Sequence, residues 1–107
     1  MPKNSTSSFK LIYKIVEQIP RGKVTTYGAI AKAIQLNNSR IVGFALHQNK
    51  DPLNIPCHRV VNRYGKLASG YAFGGPGKQS QILLSEGIKI VKNQVELNKY
   101  YWDPSNK

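Results

Sequence analysis

Two prolines, Pro52 and Pro56, divide this chain into two regimes. Proline has no backbone N–H and biases the residue before it toward extended conformations. No helix can run through Asp51-Pro52 or Ile55-Pro56, so residues 49–57 are expected to form an extended loop. Before that break the apolar residues recur at helical spacing. After it they do so only once.

In the first regime Phe9, Ile12, Val16 and Ile19 make one apolar stripe, widened by Tyr13 and Ile15. The polar residues 3–8 read as part of a frayed N-terminus over 1–8, with Ser7 or Ser8 placed to cap the helix. Pro20-Arg21-Gly22 ends it. A threonine of Val24-Thr25-Thr26 can cap a second helix over 27–34, with Ile30, Ala31 and Ile34 on one face. Leu36-Asn37-Asn38 reads as a turn. Ser39 can cap a third helix over 40–48, with Val42, Ala45 and Leu46 inward. Two short helices joined by a tight polar turn form a helix-turn-helix pattern, which many small helical domains share.

In the second regime, Val60-Val61-Asn62 and Lys66-Leu67 flank Arg63-Tyr64-Gly65, the pattern of a small hairpin or tight turn. Residues 69–77, rich in glycine with two aromatics, read as a flexible loop suited to a lid. A helix over 79–86 rests on Ile82, Leu83 and Leu84 and stops at Gly87. In the tail, 88–107, Ile88/Ile90 and Val95/Leu97 alternate around Lys92-Asn93-Gln94 as a hairpin would. Tyr100, Tyr101 and Trp102 read as packing residues.

Charge gives the helix-turn-helix pattern its meaning. The 107 residues carry 16 Lys and Arg against 5 Asp and Glu, a net charge of +11. Residues 1–80 hold 12 of the basic side chains and only Glu17 and Asp51 on the acidic side; the remainder is nearly balanced. At 40% hydrophobic content this is a folding domain rather than a basic tail. A compact domain with that excess repels itself unless it meets a polyanion, most often nucleic acid. The length suits one domain, 1–107. No apolar run reaches the ~18–20 residues of a membrane span, and residues 1–8 have no apolar core of a secretory signal. The expected setting is a reducing interior, cytoplasmic and nucleoid-associated or nuclear. Cys57 is the sole cysteine, so neither an internal disulfide nor a cysteine-based zinc cluster can form. His47, Cys57 and His58 lack zinc-site spacing, and no metal or cofactor is expected.

The densest chemistry lies in Ile55-Pro56-Cys57-His58-Arg59-Val60. A thiol attacks as thiolate, and a neighbouring imidazole or the Arg59 charge could favour that form. Adjacency in sequence alone does not bring the two side chains together. At this level a buried structural Cys57 and a satisfied core His58 are the more ordinary reading of such a pair.

Pro56-Cys57-His58-Arg59-Val60-Val61 resembles the active-site signature of the O6-alkylguanine-DNA alkyltransferases. Gly22-Lys23-Val24-Thr25-Thr26-Tyr27-Gly28 resembles the opening of that family's helix-turn-helix. Arg40-Ile41-Val42-Gly43 resembles the start of its recognition helix. Asn49, Gly65, Gly70-Tyr71 and Leu83-Leu84-Ser85-Glu86-Gly87 follow in the family's order, so the likeness spans about residues 9–90.

The resemblance implies a mainly α fold with small β elements, a winged-helix-like helix-turn-helix domain. It implies that Cys57 takes the alkyl group from O6-alkylguanine in DNA, irreversibly and once. His58 would deprotonate the thiol, Glu86 would orient His58, and Asn49 would hold the turn leading to the active-site strand. Pro52, Val60 and Tyr71 would line the guanine pocket. Tyr27 and Arg40 would drive and hold the flipped nucleotide, with Gly43, Ser39 and Arg59 at the DNA. The partner would be double-stranded DNA, bound from the minor groove by a monomer.

Two departures stand out. Helix one begins near residue 9, leaving no room for the family's usual N-terminal domain. The glycine loop is slightly longer than usual, with Ala72 and Phe73 after Tyr71. The alkyltransferase-like branch shares the short format, binds alkylated guanine without removing it and recruits excision repair, but typically has tryptophan where this chain has Cys57. A lesion sensor is therefore the second reading, and a small helix-turn-helix transcription regulator the third.

Overall fold

The structure, a computed structural model, describes residues 2–68 and 77–105. Helix α1 spans Pro2–Glu17. It starts well before the expected residue 9, so the cap positions expected at Ser7 and Ser8 fall inside it. Proline at a first helical position costs no hydrogen bond, because that N–H would be unpaired anyway. Ile12, Val16 and Ile19 are fully buried along one side.

Helix α2 spans Tyr27–Ala33. Thr26 Oγ1 accepts from Ala29 N at 3.1 Å, the expected cap, worth about 1 kcal/mol. Past its end Gln35 takes a left-handed φ of 62° and Leu36 N bonds back to Ala31 O at 2.8 Å. Helix α3 spans Arg40–His47. Ser39 is already helical and makes no side-chain cap; Asn38 Oδ1 caps instead, accepting from Arg40 N at 2.9 Å. The Tyr13 hydroxyl donates to Ala45 O at 2.6 Å and ties α1 to α3.

Strand β1, Thr25–Thr26, pairs in parallel with β2, Val60–Val61, in the register Thr25↔Val60 and Thr26↔Val61. The connection between them is α2 and α3. Val60-Val61 therefore does not form a local hairpin with Lys66-Leu67. Only the turn of that expectation survives: Gly65 N bonds Asn62 O at 2.9 Å and Asn62 N bonds Lys66 O at 3.0 Å. The reason is burial. Val60 and Val61 are both fully enclosed, which a hairpin arm on the surface could not achieve. Successive strand residues point to opposite faces, so Val60 enters one apolar core and Val61 the other. The first core joins Ile12, Val16, Ile30, Val42, Leu46 and Cys57 with Val60. The second joins Val24, Leu67, Leu83, Ile88 and Val95 with Val61.

Residues 49–57 contain no helix through either proline, but they are not extended. The chain turns at 52–54, Ile55 N bonding Asp51 O at 2.8 Å, and Cys57–Arg59 form a 3-10 turn. Side chains compact this segment, as described below.

Helix α4 spans Lys78–Ser85, with Gly87 in the left-handed region at φ 87°. Of its three expected apolar anchors only Leu83 is fully buried; Leu84 is 54% exposed. Strands β3, Ile90–Val91, and β4, Gln94–Val95, form the expected hairpin. Lys92 and Asn93 turn it with φ of 52° and 62°, the mirror-image turn that suits strand twist. Helix α5, Leu97–Tyr100, was not foreshadowed by any periodicity. Beyond it the chain returns beside β1: Val24 N bonds Tyr100 O at 2.9 Å and Trp102 N bonds Val24 O at 2.7 Å. Trp102 packs on the first core and Tyr100 on the second, while Tyr101 is 41% exposed. The glycine-rich loop and Tyr71 lie outside the described residues.

Candidate active site

Cys57 opens the 3-10 turn and is 5% exposed, at the edge of the first core. His58 follows within the same turn. Its Nε2 stands 2.8 Å from Glu86 Oε2, although the two residues are 28 positions apart. Glu86 sits at the C-terminal end of α4, where Gly87 turns the chain away.

Glu86 is held from two sides. Arg59 donates from Nε to Oε1 at 3.0 Å and from Nη2 to Oε2 at 2.8 Å. The Glu86 side chain is only 3% exposed. Burial pushes its pKa up, but the bonds from Arg59 and His58 and their charges more than reverse this, and the carboxyl lies below its ordinary value. Glu86 is therefore an ionised carboxylate inside the protein. Burial also dominates His58 and lowers its pKa, with Glu86 pulling it back up and Arg59 and Arg21 adding to the fall. At neutral pH the ring is neutral. Donating Nε2–H to Glu86 leaves Nδ1 as its basic, lone-pair nitrogen.

Asn49 is 3% exposed and works as a clasp. Its Nδ2 donates to Ile55 O at 2.9 Å, and its Oδ1 accepts from Asp51 N at 2.9 Å. The clasp folds the proline-bounded loop back just ahead of the Cys57 turn.

Arg59, which the resemblance puts at the DNA, is bonded within the protein here. Besides its two bonds to Glu86 it donates from Nη1 to Ile19 O at 2.8 Å. Its guanidinium thus bridges Glu86 and the chain after α1. Val60, expected in the guanine pocket, is fully buried in β2. Pro52 is half-buried in the turn. Tyr27 begins α2, half-buried. Burial, and then the proximity of Cys57, raise its phenol pKa. Gly43 lies against its ring: a Cβ built there would meet Tyr27 Cε1 at 4.0 Å. Arg40 and Ser39 are exposed at the start of α3. Gly43 thus lies against Tyr27, and Tyr27 and Cys57 both border the first core. Among the described residues no three His, Cys, Asp or Glu side chains gather as metal ligands would.

Gln79 escaped the sequence reading. It is 2% exposed. Its Nε2 donates to His58 O and Val60 O, both at 3.1 Å, and its Oε1 accepts from Ala68 N at 2.8 Å. The signal was its position four residues before Leu83, on the buried face of α4. Arg21 is the other omission; its Nη2 donates to Ser85 O at 3.0 Å, at the carbonyl end of α4.

Cys57 and His58 share one 3-10 turn, with the buried Glu86 carboxylate against the His58 ring, a set of side chains whose chemistry suits a nucleophile, a base and its orienter. Cys57 borders the apolar core that α2 and α3 share. Residues 7–88 match the model of the 6-O-methylguanine DNA methyltransferase DNA-binding domain, and the chain belongs to that family. It is 38% identical over 96 residues to a DNA base-flipping protein of Escherichia coli K12, covering 86% of this chain and 71% of that one. It is 44% identical over 93 residues to a methylated-DNA–protein-cysteine methyltransferase of Methanocaldococcus jannaschii, covering 86% and 52%. The chain thus spans between a third and about half of the length of its longer methyltransferase relatives. Its fold is similar to that of Schizosaccharomyces pombe Atl1 in complex with damaged DNA containing O6-carboxymethylguanine. That match has a TM-score of 0.82 at 30% identity and covers 91% of this chain and 95% of that one.

Proposed function

We propose that this protein repairs DNA by moving an alkyl group from O6 of guanine to Cys57 in a single turnover. The carrying observation is the Cys57-His58 turn backed by the buried Glu86 carboxylate, 2.8 Å from His58 Nε2. His58 Nδ1 takes the thiol proton, directly or through water. The sulfur then forms a bond to the alkyl carbon as the C–O6 bond breaks, and the departing guanine is reprotonated. The product thioether is stable, so the protein is consumed.

Reaching O6 in a duplex requires the nucleotide to leave the stack, at a cost of a few kcal/mol. Tyr27 is assigned to the neighbouring phosphate and Arg40 to the vacated space. Gly43 permits close approach to the minor groove. The +11 charge supports binding dominated by phosphates, without sequence preference. The protein acts as a monomer in a reducing, DNA-containing compartment.

The second reading, a lesion sensor that binds without transfer and recruits excision repair, draws support from the likeness to Atl1 over almost the whole of both chains. Cys57 favours transfer. Intact mass spectrometry after incubation with an O6-methylguanine duplex separates the two. One added methyl group per chain, lost in Cys57→Ser, is expected for transfer. Lesion-selective binding with no mass gain would leave the sensor.

A further inference from the structure

The tail of this chain is nearly neutral in sequence, yet the fold gathers its cations into one place. Lys89, Lys92 and Lys99 line a groove of about 540 Å³ and are joined there by Arg63. Of the three carboxylates after residue 80, Glu86 is spent on His58 and Arg59, and only Glu96 lines the groove. Four cations against one carboxylate in so small a space repel one another until an anion arrives.

The groove is also apolar in part. Tyr64 is 58% exposed and Val91 56% exposed, and both line it together with Tyr100. Arg63 lies 4.9 Å from the centre of the Tyr64 ring and Lys99 5.5 Å from that of Tyr100. Each cation is thus held over an aromatic face at the groove wall. A base could stack on either ring only by displacing the cation that covers it. The mixture of ordered cations and exposed aliphatic surface suits carboxylates interleaved with apolar side chains instead.

Position agrees with this. The groove is built on the second core, from β3, β4, α5 and the turn at 62–65. None of its lining residues belongs to α2, α3 or the Cys57 turn. An occupant would leave the helix-turn-helix unobstructed.

We propose that this groove is a docking site for an acidic, apolar-interleaved peptide segment of a protein partner, separate from the surface assigned to DNA. The proposal does not depend on whether Cys57 transfers an alkyl group.

The test uses the full chain, isotopically labelled, and a fluorescent peptide alternating glutamate with leucine and phenylalanine. Amide shifts on peptide addition should fall on residues 62–66 and 89–100. They should persist when a DNA duplex is already bound. Lys89→Gln/Lys99→Gln, both exposed, should weaken the peptide about tenfold and weaken the duplex clearly less, since neither residue belongs to α2 or α3. Val91→Ser should weaken the peptide without changing charge. Shifts confined to α2 and α3, displacement of the peptide by DNA, or duplex-induced shifts at 89–100 would each overturn the proposal. So would equal binding of a glutamate–serine peptide of the same charge, or no binding at all.

Discussion

His58 Nε2 lies 2.8 Å from Glu86 Oε2, and this contact fixes which nitrogen of the ring stays basic. If His58 takes the Cys57 proton, the rate of Cys57 modification has an acid limb set by His58. Because burial lowers that pKa, the limb should lie below pH 6.5. Glu86 pulls the histidine upward, so Glu86→Gln should slow the plateau rate and move the limb to still lower pH. Mass spectrometry of Cys57 labelling by an O6-methylguanine duplex or by iodoacetamide, across pH, reads both. A limb that moves upward would contradict the arrangement.

Acid stability follows from the same pair. The folded His58 binds its proton less readily than the unfolded chain does. Its contribution is therefore complete above pH 6.5 and is lost as pH falls through the folded value. Glu86 is also depressed from its ordinary 4.5; its contribution is complete above that value and is lost below it. The Tm from circular dichroism should fall in two stages between about pH 7 and about pH 3. His58→Gln should remove the upper stage. A Tm that rises on acidification would rule out this account.

Gln79→Leu keeps the side-chain volume but leaves His58 O, Val60 O and Ala68 N without their partner. Unsatisfied buried groups cost about 1–3 kcal/mol each. Urea denaturation should show a loss of at least about 2 kcal/mol. Gln79→Glu keeps the bond from Ala68 N but sets a carboxylate against two carbonyls, so it should not rescue the fold. Near-neutral stability in Gln79→Leu would show that the bridge is unimportant.

Two glycines should respond in opposite directions to alanine. Gly65 has φ 85°, and a Cβ there would collide with the carbonyl oxygen of Val95. Its own carbonyl accepts from Val95 N at 2.8 Å, so neither strand can retreat. Gly65→Ala should cost more than about 2 kcal/mol. Gly28, within α2, has nothing within 4 Å of its would-be Cβ, and alanine there should add about 0.5–1 kcal/mol. Chemical denaturation of the two variants checks the pair.

The helices of the first regime were legible because their signals are local. Periodic apolar residues, Thr26 as a cap and a proline-bounded end act within one or two turns. The misreadings were equally local. Ser39 and Asn38 are both able caps, and only the backbone angle of Ser39 decides between them. Cys57, His58 and Glu86 were named through resemblance, since nothing in 28 residues of spacing says that two side chains meet. The resemblance alone puts Arg59 at the DNA. Its three bonds to Glu86 and Ile19 appear only when α1, α4 and the Cys57 turn converge.

By itself, the sequence determined where helices can run, where Pro52 and Pro56 forbid them, and how much positive charge the domain carries. Those are properties of the backbone and of composition, settled over a few residues. The tertiary structure alone decided that Val60-Val61 pairs with Thr25-Thr26, that the tail returns beside Val24, and that Glu86 sits behind His58. It also decided that a nearly neutral tail presents a basic groove. These depend on which apolar faces bury against which, and that is chosen by the whole chain, because burial couples residues without regard to their separation in sequence.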